Sequence, residues 1–177
     1  MKPSYIKHKN FAPKFLGFAV VTISTSKYKL KKEGKKGWID ESGNLIISLL
    51  KQANHKILAR KLIPDDPAMI RECILNLCKS KKIDVIITTG GTGITKTDLT
   101  VETVSNLIQK EIPGFGEVLR KLSFERIGSA AILTRAIAGV QNGKIIFCLP
   151  GSPDAVELAV KYLIIPEAPH LVKHAKE

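Results

Sequence analysis

The chain has 177 residues, is 44% hydrophobic and 25% charged, and carries a formal net charge of +12. That length favours one folded domain, residues 15–177, behind a short basic arm, residues 1–14. No apolar run reaches the roughly 18 residues of a membrane span, and the basic first residues lack an apolar signal core, so a cytoplasmic location is expected. The three cysteines, Cys73, Cys78 and Cys148, are odd in number and form no CxxC pair, which argues for reduced thiols rather than a disulfide framework. Lysines cluster at residues 2–14, 27–36 and 79–82. Aromatic residues are only 6% of the chain and form no interleaved basic-aromatic strand, which disfavours a nucleic-acid partner. Solvated basic loops that also attract anionic small molecules are the default reading of the charge.

In chain order, residues 15–23 are an unbroken apolar run rich in β-branched side chains, the pattern of a strand buried on both faces. The Lys- and Gly-rich stretch that follows, to Gly37, reads as a loop. Asp40-Glu41-Ser42-Gly43 then precedes Leu45, Ile46, Leu49 and Leu50, spaced for an amphipathic helix to Ala53. Residues 56–63 suggest a second strand ending at Pro64. Pro67 starts the next helix, whose apolar face is Ile70, Cys73, Ile74 and Leu77. Residues 83–89 form the third buried strand. Helices are expected over 101–109, 115–124 and, after Pro153, 155–165. Within residues 128–140, Ala130-Ala131-Ile132-Leu133 fit helix or strand. Residues 136–140 and 144–149 flank Asn142-Gly143, the usual filling of a tight type I′ hairpin. Strands alternating with helices imply an α/β fold: a three-layer sandwich with a mostly parallel, Rossmann-like sheet plus a small hairpin.

In open α/β sheets ligands bind beyond the carboxyl ends of the strands. The first strand delivers Ser24, Thr25 and Ser26 to that edge, and the second delivers Asp65 and Asp66. The third delivers Thr88-Thr89-Gly90-Gly91-Thr92-Gly93 and then Asp98; the hairpin delivers Pro150 and Gly151. Glycines let backbone N–H groups approach a phosphate, threonine hydroxyls add donors, and a nearby carboxylate can hold magnesium. Each feature also has a plainer reading. The glycine loop can be a tight strand-to-helix turn. Asp65-Asp66 before Pro67 is, taken alone, better explained as a helix cap, and Asp98 can be another. Pro150-Gly151 alone is an ordinary turn. No histidine falls at these strand ends, which excludes a histidine-based triad or zinc centre there. The loop is neither a Walker A sequence nor GxGxxG. The residues by themselves reach a phosphate-binding α/β domain with a magnesium-capable acid.

Five segments taken together go further: LIPDD at 62–66, TTGGTGITKTDLTVETV at 88–104, EIPGFGEVLR at 111–120, LTRAIAG at 133–139 and LPGSPDAVELAV at 149–160. In this order they resemble the molybdenum cofactor biosynthesis B/Mog family, which includes molybdopterin adenylyltransferases and the G domain of gephyrin. The STSKY segment after the first strand is most similar to archaeal B-type members. The resemblance implies a trimer, or a hexamer of two trimers, and transfer of AMP from ATP to the terminal phosphate of molybdopterin. The product would pass to a downstream metal-insertion protein. It also implies roles: Asp65 and Asp98 as the catalytic, magnesium-holding acids; Thr89, Gly90, Gly91, Thr92 and Gly93 as the phosphate and pterin cradle, with Ser24 beside it. Glu117 falls in the matching helix motif, Ser123, Thr134 and Arg135 match pterin-side positions, and Pro150 and Gly151 match the family's closing turn. Three positions depart from the family pattern. Cys148 replaces an asparagine, Thr134 a serine, and Thr25 stands where many members have aspartate. Those departures motivate a second reading, a non-catalytic molybdopterin carrier of the same pathway. The net charge alone motivates a third, a nucleic-acid-binding module.

Overall fold

The computed structural model describes residues 13–177, so the expected basic arm lies outside the described residues except for Pro13 and Lys14. The first buried run forms β1 (Gly17–Ile23), in which every residue is buried. Ser24 then caps α1 (Thr25–Lys32), accepting from Lys27 N–H. This helix replaces the loop expected from the lysine run. It buries no side chain, so it has no apolar face to be read from the sequence. Its cap and the basic residues of its last turn, which complement the helix dipole, support it instead.

Asp40 caps α2 (Glu41–Gln52) through Gly43 N–H at 3.0 Å. Its carboxylate also accepts from Thr22 Oγ1 at 2.7 Å and from Arg60, which ties the helix start to the end of β1. The second strand is β2 (Lys56–Ile63). Asp66 caps α3 (Pro67–Cys78) through Met69 N–H at 2.8 Å, with Pro67 in the first turn, as the plainer reading of that acid required. Then come β3 (Val85–Thr89) and a short α4 (Thr100–Ser105), which stops before Asn106 instead of reaching residue 109. A two-residue strand β4 (Lys110–Glu111) follows, and α5 (Pro113–Ile127) begins at the proline that marks its first turn. Residues 128–133 are a 3₁₀ segment, neither of the two expected alternatives. Strands β5 (Ile137–Gln141) and β6 (Lys144–Leu149) form the expected hairpin. Gln141 pairs with Lys144 across Asn142 (φ 48°) and Gly143 (φ 68°), the two positive angles a type I′ turn requires.

The last helical segment is longer than its sequence pattern suggests. It begins with α6 (Pro153–Leu158), passes through a π-helical stretch (Ala159–Ile164) and continues as α7 (Ile165–Lys176). Pro166 and Pro169 each lack an N–H, and the wider π turn just upstream accommodates the break in the hydrogen-bond ladder. This tail buries Ala168 and Val172 in the chain's own core.

The strand order is β2-β1-β3-β6-β5-β4. The pairs β2–β1, β1–β3 and β3–β6 are parallel, while β5 and β4 are antiparallel additions at one edge. Alternate residues of the buried strands feed two cores. Phe18, Val20, Ile87, Ile145 and Phe147 pack under α2, α5 and the α6–α7 rod; Ala19, Val21, Ile86, Ile146 and Cys148 pack under α3 and α4. Two helical layers around one mostly parallel sheet make the expected three-layer sandwich. The chain leaves β1 toward β2 on one side and returns to β3 on the other. The crevice between the carboxyl ends of β1 and β3 is therefore the topological switch point.

Candidate functional site

Gly90 and Gly91 turn the chain sharply out of β3, with φ of 99° and 61°. The two glycines are needed for what they let in. A Cβ on Gly90 would stand 2.2 Å from Ile23 O of β1; on Gly91, 2.2 Å from Asp65 Oδ2 and 2.4 Å from Thr100 Oγ1. The bare backbone thus admits the neighbouring strand end and a carboxylate, in addition to the phosphate access expected of it. Thr89 Oγ1 donates to Pro150 O at 2.7 Å and Ser42 Oγ to Gly151 O at 2.6 Å, which fixes the Pro150-Gly151 turn over the loop.

Asp65 stands at the end of β2 with its own N–H bonded to Thr25 Oγ1 at 3.0 Å. The threonine found in place of an acid thus holds the remaining acid's backbone. Leu99 N–H and the Thr100 hydroxyl approach Asp65 Oδ1 at 3.3 and 3.5 Å. Burial raises the Asp65 pKa above the ordinary carboxylate range, and the charges of Asp98 and Glu102 raise it further. Asp98 behaves oppositely. The Thr95 hydroxyl at 2.5 Å and Thr95 N–H at 2.9 Å hold its pKa below the usual value. Asp98 does not cap α4, whose start has no side-chain cap bond.

Arg135 closes this side of the loop. It donates to Gly93 O at 2.7 Å and pairs with Glu102, whose pKa it lowers. Ser42, Thr100 and Glu102 were not among the residues singled out from sequence. Each acts through the backbone or charge of a neighbouring site residue, and no spacing rule marks that relation.

The structure gathers Ser24, Thr25, Asp65 and Gly91, with Ser26, Lys29 and Thr97, around a crevice of about 560 Å³. A contiguous smaller hollow is lined by Ser24, Lys27, Ser42, Thr89, Gly90 and Gly151. Two lysines, Lys27 and Lys29, thus face the region of the switch point. On the far side of Pro150 a third hollow, of about 320 Å³, is lined by Ser123, Arg126, Thr134 and Asp154, among others. Ser123 is 3% exposed, and its Oγ has no hydrogen-bond partner among the described residues, as a group awaiting a ligand would be. Thr92 is buried in the loop itself. Glu117 is exposed on α5 and lines none of these hollows. Cys148 does not line them either. It is fully buried in β6 beside Thr88, among the side chains under α3 and α4, and burial pushes its thiol up to about 12.

A family model described as "Probable molybdopterin binding domain" matches residues 19–170. The chain belongs to this family of molybdenum cofactor biosynthesis. Among its relatives, molybdenum cofactor biosynthesis protein B of Bacillus cereus is 43% identical over 95% of both chains. The molybdopterin adenylyltransferase of Pyrococcus furiosus is 40% identical over 97% of this chain and 98% of its own. Among solved structures, a molybdenum cofactor biosynthesis protein B superposes with a TM-score of 0.83 at 41% identity, covering 93% of this chain and 98% of that one. The tungsten cofactor synthesizing protein MoaB from Pyrococcus furiosus gives 0.81 at 39% identity, over 94% and 100%. The sandwich fold is thus shared with these solved structures over more than nine-tenths of the chain.

Proposed function

We propose that the chain is a molybdopterin adenylyltransferase, which transfers AMP from ATP to the terminal phosphate of molybdopterin. The observation that carries this reading is Asp65. A carboxylate whose pKa is raised by burial and by the charges of two further acids, lining a crevice of about 560 Å³, is a poor place for a bare anion and a good one for a cation bridging to phosphates. Relatives at about the same identity carry the adenylyltransferase name, which supports the same reading.

In the proposed reaction a terminal phosphate oxygen of molybdopterin attacks the α-phosphorus of ATP. The bond from that phosphorus to the bridging oxygen breaks, and pyrophosphate leaves with the electron pair. The nucleophile is already anionic at neutral pH, so no histidine base is needed. Lys27 and Lys29 would attract and hold the triphosphate, and the Gly90–Gly93 backbone with Ser24 and Thr89 would keep it in line for attack. The hollow with Ser123, Thr134 and Arg126 would take the pterin, giving the unpartnered Ser123 hydroxyl a bond.

Asp65 and Asp98 fit a magnesium ion: both offer hard oxygen donors, and Asp65 gains from a cation nearby. No three acidic, cysteine or histidine side chains converge among the described residues, so ligand phosphates and water would complete the coordination, as magnesium commonly accepts. When bound, it would neutralise charge on the α-phosphate and the leaving pyrophosphate.

The test is an assay of ATP plus molybdopterin with and without magnesium, read as adenylylated product and pyrophosphate. Turnover that vanishes in Asp65→Asn and Asp98→Asn, with molybdopterin still bound, supports the reading. Tight molybdopterin binding with no turnover in the unaltered protein would favour the carrier.

A further inference from the structure

Far from the crevice, α7 carries His170 and His174 one helical turn apart. Their Nε2 atoms stand 2.9 Å from each other. The ring centroids are 4.7 Å apart and tilted by 65°, so the rings meet edge-on rather than stacked. His174 also has a carboxylate on its other nitrogen, and His170 has one within ion-pair distance. Glu177 Oε2 lies 2.9 Å from His174 Nδ1, and Glu167 Oε2 lies 3.6 Å from His170 Nδ1.

An ionised carboxylate can only accept a hydrogen bond, so Glu177 fixes the proton of His174 on Nδ1. Glu167, at 3.6 Å, is too far from His170 Nδ1 to fix its tautomer, and His170 can donate its Nε2 proton to the Nε2 lone pair of His174. A divalent cation bound by both Nε2 atoms would take the place of that shared proton. Carboxylate, imidazole, cation, imidazole, carboxylate is the usual construction of a histidine metal site, with the acids as the outer shell.

We propose that His170 and His174 form a two-imidazole site for a divalent transition-metal ion of the Cu2+ or Ni2+ type. The separation selects the geometry. Two metal–nitrogen bonds of about 2.0–2.1 Å at a right angle place the nitrogens about 2.9 Å apart, whereas a tetrahedral angle places them about 3.4 Å apart. Right-angled neighbours belong to tetragonal copper and nickel rather than to tetrahedral zinc. His174 and Glu177 also line an open hollow of about 750 Å³ with Gln109, Glu111 and Leu171, which gives the remaining coordination positions room for water. Nearby Lys173 is drawn to Glu177 at 3.9 Å, and Lys176 is held by Asp84 at 2.6 Å, so neither ammonium points its charge unopposed at the pair. Asp84 directly precedes β3, which puts this site at the opposite end of the parallel strands from Asp65 and Asp98. A metal here would fasten the end of α7, not take part in phosphate chemistry.

The test is titration of the untagged chain with CuCl2 and with NiCl2 at neutral pH, without nucleotide. It is followed by calorimetry and, for copper, by the nitrogen hyperfine pattern in electron paramagnetic resonance. One equivalent per chain is expected, with two equivalent nitrogen ligands and a raised melting temperature. His170→Gln and His174→Gln should each lose that equivalent while keeping the circular dichroism of the parent. Glu177→Gln should weaken binding by about tenfold. An Asp65→Asn, Asp98→Asn double variant should retain it. Uptake that persists in the histidine variants, or none in the parent because the pair merely shares a proton, would overturn the assignment.

Discussion

Asp65 is the residue on which stability and chemistry pull in opposite directions. Its raised pKa means that the ionised form is disfavoured by the fold. The folded protein therefore holds the Asp65 proton more tightly than the unfolded chain does. Its contribution to stability grows as pH falls through the raised folded value toward the ordinary carboxylate value, and diminishes as pH rises. Proposed catalysis needs the ionised form, so activity should rise over the same window in which Asp65 lowers stability. Asp65→Asn should then leave the melting temperature equal to or above that of the parent while reducing pyrophosphate release by about 10²–10³-fold. A variant that melts lower and still turns over would contradict both halves. At Gly91 the opposite kind of change is predicted. Alanine there would meet Asp65 and Thr100 at a positive φ, so Gly91→Ala should destabilise by about 1–3 kcal/mol, read by denaturant titration. Cys148 carries a thiol pushed up to about 12 in a fully buried position. In a Cys73→Ser, Cys78→Ser background it should not react with a thiol reagent at pH 8 until denaturant is added.

Among the elements, the hairpin and the two cores were legible from the sequence because their signals are local. Asn142-Gly143 has one low-energy way to join flanking strands, and the runs at residues 17–23, 85–89 and 144–149 are apolar without a break. Gly143→Ala should cost about 1–2 kcal/mol, because φ there is 68°. Phe147→Ala, which removes a ring packed at a tilt of 57° against Phe115 in the core under α5, should cost about 3–5 kcal/mol in the same titration. Helix α1 was not legible because it buries nothing, and hydrophobic periodicity is the signal by which helices are recognised. The length of α7 was obscured by Pro166 and Pro169, which ordinarily end helices. What keeps the segment helical is burial of Ala168 and Val172 against β6 and its neighbours, a tertiary contact.

For the molecule as a whole, the lysine surplus and the apolar surface make separate predictions. With a net charge of +12 and two lysines at the crevice, apparent affinity for ATP should fall as salt rises, measured as KM at constant pH. Phe124, Ile127, Ile132 and Leu133 are all exposed along the end of α5 and the 3₁₀ segment after it, with Ile132 85% exposed. We expect that surface to seat a second copy of the chain in the trimer or hexamer that the family resemblance implies. Light scattering should give a multiple of the 19.4 kDa chain that Ile132→Lys reduces.

By itself the sequence determined the periodic parts of this protein: the strands, most helices, the hairpin turn, and the residue types that reach the strand ends. Those depend on spacing within a few residues, where a chain's own chemistry suffices. Only the tertiary structure decided which of those ends meet. The strand order sets Ile23 against Gly90, Thr25 beneath Asp65, and Arg135 on Gly93 across 42 positions. It also turned Cys148 away from the crevice, because in a strand buried on both faces the register alone assigns each side chain to a layer.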